Sequence, residues 1–119
     1  FLIKHSIKFK KPLLGFCRGA QLINLYFGGS IKKVSNHVKK KHFLLSNNLK
    51  KKIKTNCFHN FGITYETISN KINILAKTKD NSIEFFKHHN YEIYGIMWHP
   101  ERSQKINKTE LGLIKKIFR

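Results

Sequence analysis

The chain has 119 residues, is 40% hydrophobic and 13% aromatic, and carries a formal net charge of +18. Those proportions suit one small globular domain with its own core, and they exclude a disordered chain or a second domain. No apolar run approaches the ~18 residues of a membrane span, no signal peptide is visible, and two cysteines in different motifs fit a reducing cytoplasm better than a disulfide framework.

Leu2, Ile3 and Ile7 recur at helical spacing ahead of the basic end Lys8-Phe9-Lys10-Lys11, which predicts the last turns of a helix over residues 1–11. Pro12 then opens a short buried strand ending at Phe16. A helix is expected from about Arg18 to Phe27, with Leu22, Ile23, Leu25 and Tyr26 supplying its apolar faces and Gly28-Gly29 ending it. Residues 30–38 suit a loop with a short extended stretch. His42 to Leu45 and Ile53 to Phe58 are strand candidates around an Asn47-Asn48 turn. From Asn70 the pattern is mostly β: a strand over Ile72 to Lys77, a turn at Asp80-Asn81-Ser82, a strand over Ile83 to Lys87, a turn at Asn90, and a strand from Tyr91 to Met97. Glu110 to Phe118 closes as an amphipathic helix with Leu111, Ile114 and Ile117 or Phe118 on one face. No internal repeat, linker or low-complexity tract interrupts the chain, so one α/β unit is the economical reading. Phe stands at position 1 and Met97 is the only methionine, which suggests a piece of a longer reading frame.

The chemistry concentrates at Gly15-Phe16-Cys17-Arg18-Gly19, between the predicted strand and the predicted helix. A nucleophile at such an elbow sits in a strained turn with its side chain exposed, and the flanking glycines give the backbone room to bend. The positive end of the helix dipole beside it favours the thiolate, the reactive form. A lone cysteine is more often a buried structural residue; its place inside Gly-x-Cys-x-Gly at a strand–helix junction reverses that expectation. A thiolate nucleophile also needs a base and a group to orient that base. His99 lies just past the strand Tyr94 to Trp98, at the end of an α/β sheet where catalytic groups collect. Glu101, two residues on, can reach the other ring nitrogen, which completes a Cys–His–Glu set. Taken without the cysteine motif, a surface His near a Glu is the commoner case.

The charge invites a nucleic-acid reading, yet the 24 basic residues comprise 21 Lys and only 3 Arg. Readers of phosphates and base edges lean on Arg for its bidentate fork. Lys39-Lys40-Lys41 and Lys50-Lys51-Lys52 flank an apolar segment as solvated hairpin or loop charges do. A basic nucleic-acid-binding protein therefore stays as the alternative of another class, beside an inactive fragment. A zinc site built from Cys17, Cys57 and the histidines lacks paired ligand spacing, and no cofactor is expected.

Gly15 to Gly29 (GFCRGAQLINLYFGG) and Gly95 to Glu101 (GIMWHPE) resemble the two hallmark motifs of class I glutamine amidotransferase domains, more closely those of the γ-glutamyl hydrolase-like branch, the peptidase C26 group. Between them, Asn56-Cys57-Phe58-His59-Asn60 resembles the branch's Asn-Ser-x-His-His segment. The resemblance implies an α/β fold: the C-terminal part of a flavodoxin-like amidotransferase sheet with flanking helices. It implies that Cys17 is the nucleophile, His99 the base and then acid, and Glu101 the residue orienting His99. It further implies that the Arg18 backbone N–H donates to the oxyanion, that Gln21 contacts the γ-glutamyl group, and that Cys57, Phe58 and His59 grip the substrate's amino-acid end. The implied reaction is cysteine-dependent hydrolysis of a γ-glutamyl amide through a γ-glutamyl thioester, on a small-molecule substrate in the cytoplasm.

Cys57 stands where the branch usually has Ser, and Asn60 where it often has a second His. The chain also starts just before the nucleophile strand, so residues 1–119 are expected to be a partial domain. A complete one is about 200 residues, and the absent part carries the loop that gives the second oxyanion donor. Weak or no activity is expected of the isolated chain, whose parallel sheet would have an unpaired edge. Within the branch, Asn56 to Ile63 and Ile83 through His99 look most like the γ-glutamyl-CDP-amidate hydrolases of capsule phosphoramidate synthesis. Hydrolysis of γ-glutamyl-γ-aminobutyrate, or a glutamine amidotransferase role, is the neighbouring alternative.

Overall fold

The structure is a computed structural model that describes residues 1–33, 38–46, 53–58, 61–78, 80–98 and 108–118; for 38–46, 53–58, 109, 110 and 113 it describes the backbone alone. The chain begins with helix α1 (Leu2–Phe9), closed by Lys10 in the left-handed conformation, φ 52°. Strand β1 (Leu13–Phe16) follows and leads through Cys17 into helix α2 (Arg18–Tyr26). Among the described residues eight strands make up the sheet system: after β1 come β2 (Lys32–Lys33), β3 (Val38–Ser46), β4 (Ile53–Phe58), β5 (Phe61–Thr64), β6 (Ile72–Lys77), β7 (Ser82–His88) and β8 (Ile93–Ile96). Helix α3 (Lys108–Ile117) ends the described chain.

The pairing order is β1-β8-β7-β6-β3-β4, with β5 against the first residues of β7 and β2 against β5. Among the described pairs only β1 and β8 run parallel, in the register Leu13↔Ile93 to Phe16↔Ile96. The expected parallel sheet is therefore a mixed one: β7 is antiparallel to β8, β6 and β5, and β3 to β4 and β6.

Side chains along β8 alternate between two cores, as strand geometry requires. Ile93 and Met97 join Ala20 and Ile23 of α2 with Ile63, Ile72, Ile83 and Phe86, and Ile3 and Ile7 of α1 pack against this cluster. Ile96 and Trp98 face the other way, with Ala76, Phe85 and Ile117 of α3, and Leu14, Phe16 and Tyr94 pack there. Helices thus cover both faces, the layered α/β arrangement. Gly95 sits opposite Phe86 in the ladder, and a Cβ at Gly95 would run into the Phe86 ring, so glycine here makes room for an aromatic core residue.

The helix faces differ from the expected ones. The buried stripe of α2 is Ala20, Ile23, Asn24 and then the half-buried Phe27, whereas Leu22, Leu25 and Tyr26 are exposed. Asn24 is wholly buried, and its amide closes a local network. Nδ2 donates to the Ser30 and Thr67 carbonyls at 2.9 and 3.2 Å, and Oδ1 accepts from the Ser69 N–H at 2.7 Å. Ser69 Oγ donates to the Phe27 carbonyl at 2.7 Å, which satisfies one of the helix's terminal acceptors. In α3, Ile117 is buried and Ile114 half-buried, while Leu111 and Phe118 are exposed. Leu2 of α1 is exposed too. Lys39-Lys40-Lys41, read as hairpin or loop charges, lie within β3, and Asn47-Asn48 lie outside the described residues.

Candidate active site

Cys17 stands at the end of β1 and at the start of α2, with φ 47° and ψ −100°. That conformation is costly for a residue with a side chain, of order 1–3 kcal/mol, and persists only where the surroundings impose it. Here they do. The Cys17 N–H donates to the Ile96 carbonyl at 2.6 Å, extending the β1–β8 ladder by one bond, and the Cys17 carbonyl already accepts the first helical bond from Gln21 N–H at 3.0 Å. Held as a strand at one side and as a helix cap at the other, the residue has no relaxed alternative.

Gly15 makes the turn possible. A Cβ there would lie 2.7 and 2.8 Å from the Gly19 carbonyl carbon and oxygen and 2.8 Å from Ile23 Cδ1, so the first turn of α2 rests directly on the β1 backbone. Gly19 behaves differently from expectation, since a Cβ at Gly19 would meet nothing within 4 Å. Only the first of the two flanking glycines is demanded by close approach. The Cys17 side chain, expected to be exposed at the elbow, is instead a buried thiol, 9% exposed, because the turn packs onto the β1–α2 junction. Arg18 is the first residue of α2, so its N–H is one of the donors the helix cannot satisfy internally. An anion at the Cys17 side chain would meet those donors and the positive end of the helix.

Gln21, one turn along, donates from Nε2 to the Phe61 carbonyl at 2.9 Å. Phe61 opens β5, a strand absent from the sequence-based expectation, and follows the 56–60 segment directly. Cys57 and Phe58 lie in β4, paired with Lys40 and Val38 respectively. In pairing order β4 is the strand farthest from β1, yet its last residue is only three positions before the carbonyl that Gln21 holds. His59, His99 and Glu101 lie outside the described residues. The chain leading to His99 is described as far as Trp98: the Met97 N–H donates to the Glu84 carbonyl at 2.9 Å, and Trp98 is buried beside Phe85.

Glu84 itself does not stand out in the sequence pattern. It is fully buried in β7, across the ladder from the strand that leads to His99. An acid inside the apolar run Ile83-Glu84-Phe85-Phe86 is the signal that could have found it, because a buried carboxylate is seldom incidental. Among the described residues no group of three or more His, Cys, Asp or Glu side chains is placed to hold a metal ion, and no helix is long and apolar enough to cross a membrane.

The described ionisable groups with displaced pKa values lie toward the other end of β8 from Cys17. Tyr94 is pushed up to about 12 by burial and by the hydrogen bond its hydroxyl donates to Glu92 at 2.7 Å. The same bond, joined by Lys87 at 3.1 Å, lowers Glu92.

A strand–cysteine–helix elbow beside a parallel strand, within a layered α/β fold, defines a class. The family model for class I glutamine amidotransferases matches residues 2–115, and the chain belongs to that family. It is 42% identical over 110 residues to the γ-glutamyl-CDP-amidate hydrolase of Campylobacter jejuni, covering 92% of this chain and 52% of that protein. It is 28% identical to a subunit of the glutamine-hydrolysing GMP synthase of Pyrococcus furiosus, over 84% of this chain and 56% of the relative. The chain therefore spans about half the length of these relatives. Among solved structures, a Thermoplasma acidophilum protein described as a candidate GMP synthase component superposes with a TM-score of 0.80 at 23% identity, covering 97% of this chain and 59% of the other. A Thermotoga maritima glutamine amidotransferase gives 0.70 at 18% identity, covering 97% and 51%. Both likenesses concern the fold, which is the expected flavodoxin-like amidotransferase type.

Proposed function

We propose that the chain is the C-terminal part of a class I amidotransferase domain and hydrolyses a γ-glutamyl amide with Cys17 as nucleophile. The observation that carries this reading is the positive φ of Cys17 at the β1–α2 junction, wedged by Gly15 against Gly19. His99 takes the Cys17 thiol proton, and the thiolate attacks the γ-carbonyl carbon, forming a C–S bond and moving the π electrons onto oxygen. The Arg18 N–H stabilises that oxyanion, and a second donor is expected from outside residues 1–119. As the carbonyl re-forms, the C–N bond breaks, and His99, oriented by Glu101, gives its proton to the leaving amine. His99 then takes a proton from water, the hydroxide attacks the thioester carbonyl, and the C–S bond breaks to return the thiolate and release glutamate. Gln21, Cys57, Phe58 and His59 hold the γ-glutamyl end.

The relative from Campylobacter supports γ-glutamyl-CDP-amidate as the substrate, and an anionic nucleotide suits a chain of net charge +18. A γ-glutamyl amine such as γ-glutamyl-γ-aminobutyrate is the competing small-molecule substrate. A reducing cytoplasm, where the thiol persists, is the expected compartment.

An electrophilic glutamine analogue carrying a γ-diazoketone tests the reading. The expected result is a single adduct at Cys17, none at Cys57, and labelling slowed about 10²-fold or more by His99→Ala. In a protein that carries the whole domain, Cys17→Ser lowers turnover of γ-glutamyl amides by at least about 10³-fold. Labelling at Cys57 alone would overturn the assignment. Comparing release of CDP-amidate and of γ-aminobutyrate from their γ-glutamyl conjugates separates the two substrates.

A further inference from the structure

At the end of α2 remote from Cys17 lies a second feature, open to solvent, that γ-glutamyl chemistry does not use. A cavity of about 510 Å³ lies between the end of α2, the turn before β6 and the β7–β8 turn. Its walls include Tyr26, Phe27, Lys71, His88, His89 and Tyr91. Ten residues of helix separate Cys17 from Phe27, about 15 Å at the helical rise, so the cavity and the nucleophile are separate sites. The volume lies within the range of small-molecule pockets.

The cavity floor is built rather than accidental. His88 is buried, and its Nδ1 accepts from the N–H groups of Asn90 and Tyr91 at 3.0 and 3.3 Å. That fixes the tautomer with the proton on Nε2, a single directional donor. Its ring packs against those of Phe27 and Tyr91, with centroids 4.3 and 4.7 Å away. The His89 N–H donates to the Lys71 carbonyl at 3.0 Å, which pins together the two segments bearing the cationic and imidazole side chains. Tyr26 and Tyr91 remain 47% and 38% exposed, so two aromatic surfaces are left for a flat ring. The negative end of α2 works against an anion here. Four carbonyls at this end are already engaged, however: Ile23, Asn24 and Leu25 by the backbone, and Phe27 by Ser69. Among the described residues that line the cavity, none is acidic.

We propose that this cavity binds a nucleoside monophosphate, the base stacked on the tyrosine faces and the phosphate met by Lys71, His89 and the His88 Nε2–H. A ring without a phosphate leaves the Lys71 ammonium unused, and a phosphate without a ring leaves the aromatic walls unused.

Calorimetric titration of the chain with AMP, adenosine and inorganic phosphate at physiological salt tests the proposal. AMP is expected to bind one to one, with adenosine and phosphate each at least about tenfold weaker. Lys71→Met and Tyr91→Ala each weaken AMP about tenfold; both side chains are exposed, and the Tyr91 N–H to His88 survives the change. Lys115→Met, the same loss of charge on exposed α3 across the sheet, leaves binding unchanged. Prior alkylation of Cys17 also leaves it unchanged, which separates this site from the proposed catalytic one. Absence of AMP binding, equal binding of inorganic phosphate, equal weakening by Lys115→Met, or loss on alkylation of Cys17 each overturns it.

Discussion

The two ends of α2 are anchored by opposite means. At the Cys17 end the fold relies on side chains that are absent: Gly15 lets the helix backbone rest on the strand, and backbone bonds to Ile96 and Gln21 hold the elbow. At the Phe27 end it relies on buried polar side chains, with Asn24, Ser69 and the Nδ1 of His88 hydrogen-bonded to the backbone of the helix end and of the adjoining turns. A nucleophile gains from the first arrangement because steric contact between backbones leaves little freedom of position. The second arrangement ties three irregular segments to one helix, which is a matter of stability.

Mutations that exchange the two kinds of support should separate these roles. Gly15→Ala drives a Cβ into the Gly19 carbonyl and Ile23, so α2 must move off β1 and carry Cys17 with it. The expected outcome is a loss of about 10²-fold in turnover or in γ-diazoketone labelling, alongside about 1–3 kcal/mol of stability from overpacking. Asn24→Ala does the reverse. It strands two loop carbonyls and one N–H, costing about 2–4 kcal/mol in denaturant unfolding. Labelling of Cys17 per folded molecule should change less than about threefold. Equal damage to labelling by both variants would erase the distinction. A smaller effect comes from Gly95→Ala, which displaces the Phe86 ring in the core shared by both ends; about 1–3 kcal/mol is expected, read as a lower denaturation midpoint.

The elbow is legible in the sequence because its signal is local: Gly-x-Cys-x-Gly after an apolar tripeptide specifies a turn within five residues. The outer face of α2 is misleading because its hydrophobicity outweighs its spacing. Ala20, Ile23, Asn24 and Phe27 follow i, i+3, i+4, i+7, and that stripe is the buried one despite its asparagine. Strand β5 is hidden for a different reason. Four residues stabilised by nonlocal partners, Lys32–Lys33 on one side and Ser82–Ile83 on the other, carry little pattern of their own. Strand direction is likewise invisible in period-two alternation, so the antiparallel share of the sheet had to come from the ladder itself. For His99 and Glu101, proposed as base and orienting acid, the motif remains the support, since β8 ends at Ile96 and the two residues lie outside the described ones.

The subtlest test concerns pH and the Phe27 end alone. Burial, followed by the charges of His89, Lys71 and Lys87, lowers the His88 pKa from its ordinary 6.5. The unfolded chain therefore binds a proton at this residue more readily than the folded one. Its contribution to stability is complete above about pH 6.5 and is lost as pH falls through the lower folded value. Geometry gives the same sign: a proton on Nδ1 would confront the two N–H groups of Asn90 and Tyr91 that now donate to it. Glu92, also lowered, loses its own contribution only below its ordinary 4.5, so the interval between about pH 7 and pH 5 leaves it out, and comparison with His88→Gln separates His88 from the other six histidines. Thermal unfolding across that interval should show a falling Tm in the native chain and a flatter profile in His88→Gln. An unchanged slope in the variant would mean that the imidazole is not what ties the β7–β8 turn to α2, and that the polar support of this end rests on Asn24 and Ser69 alone.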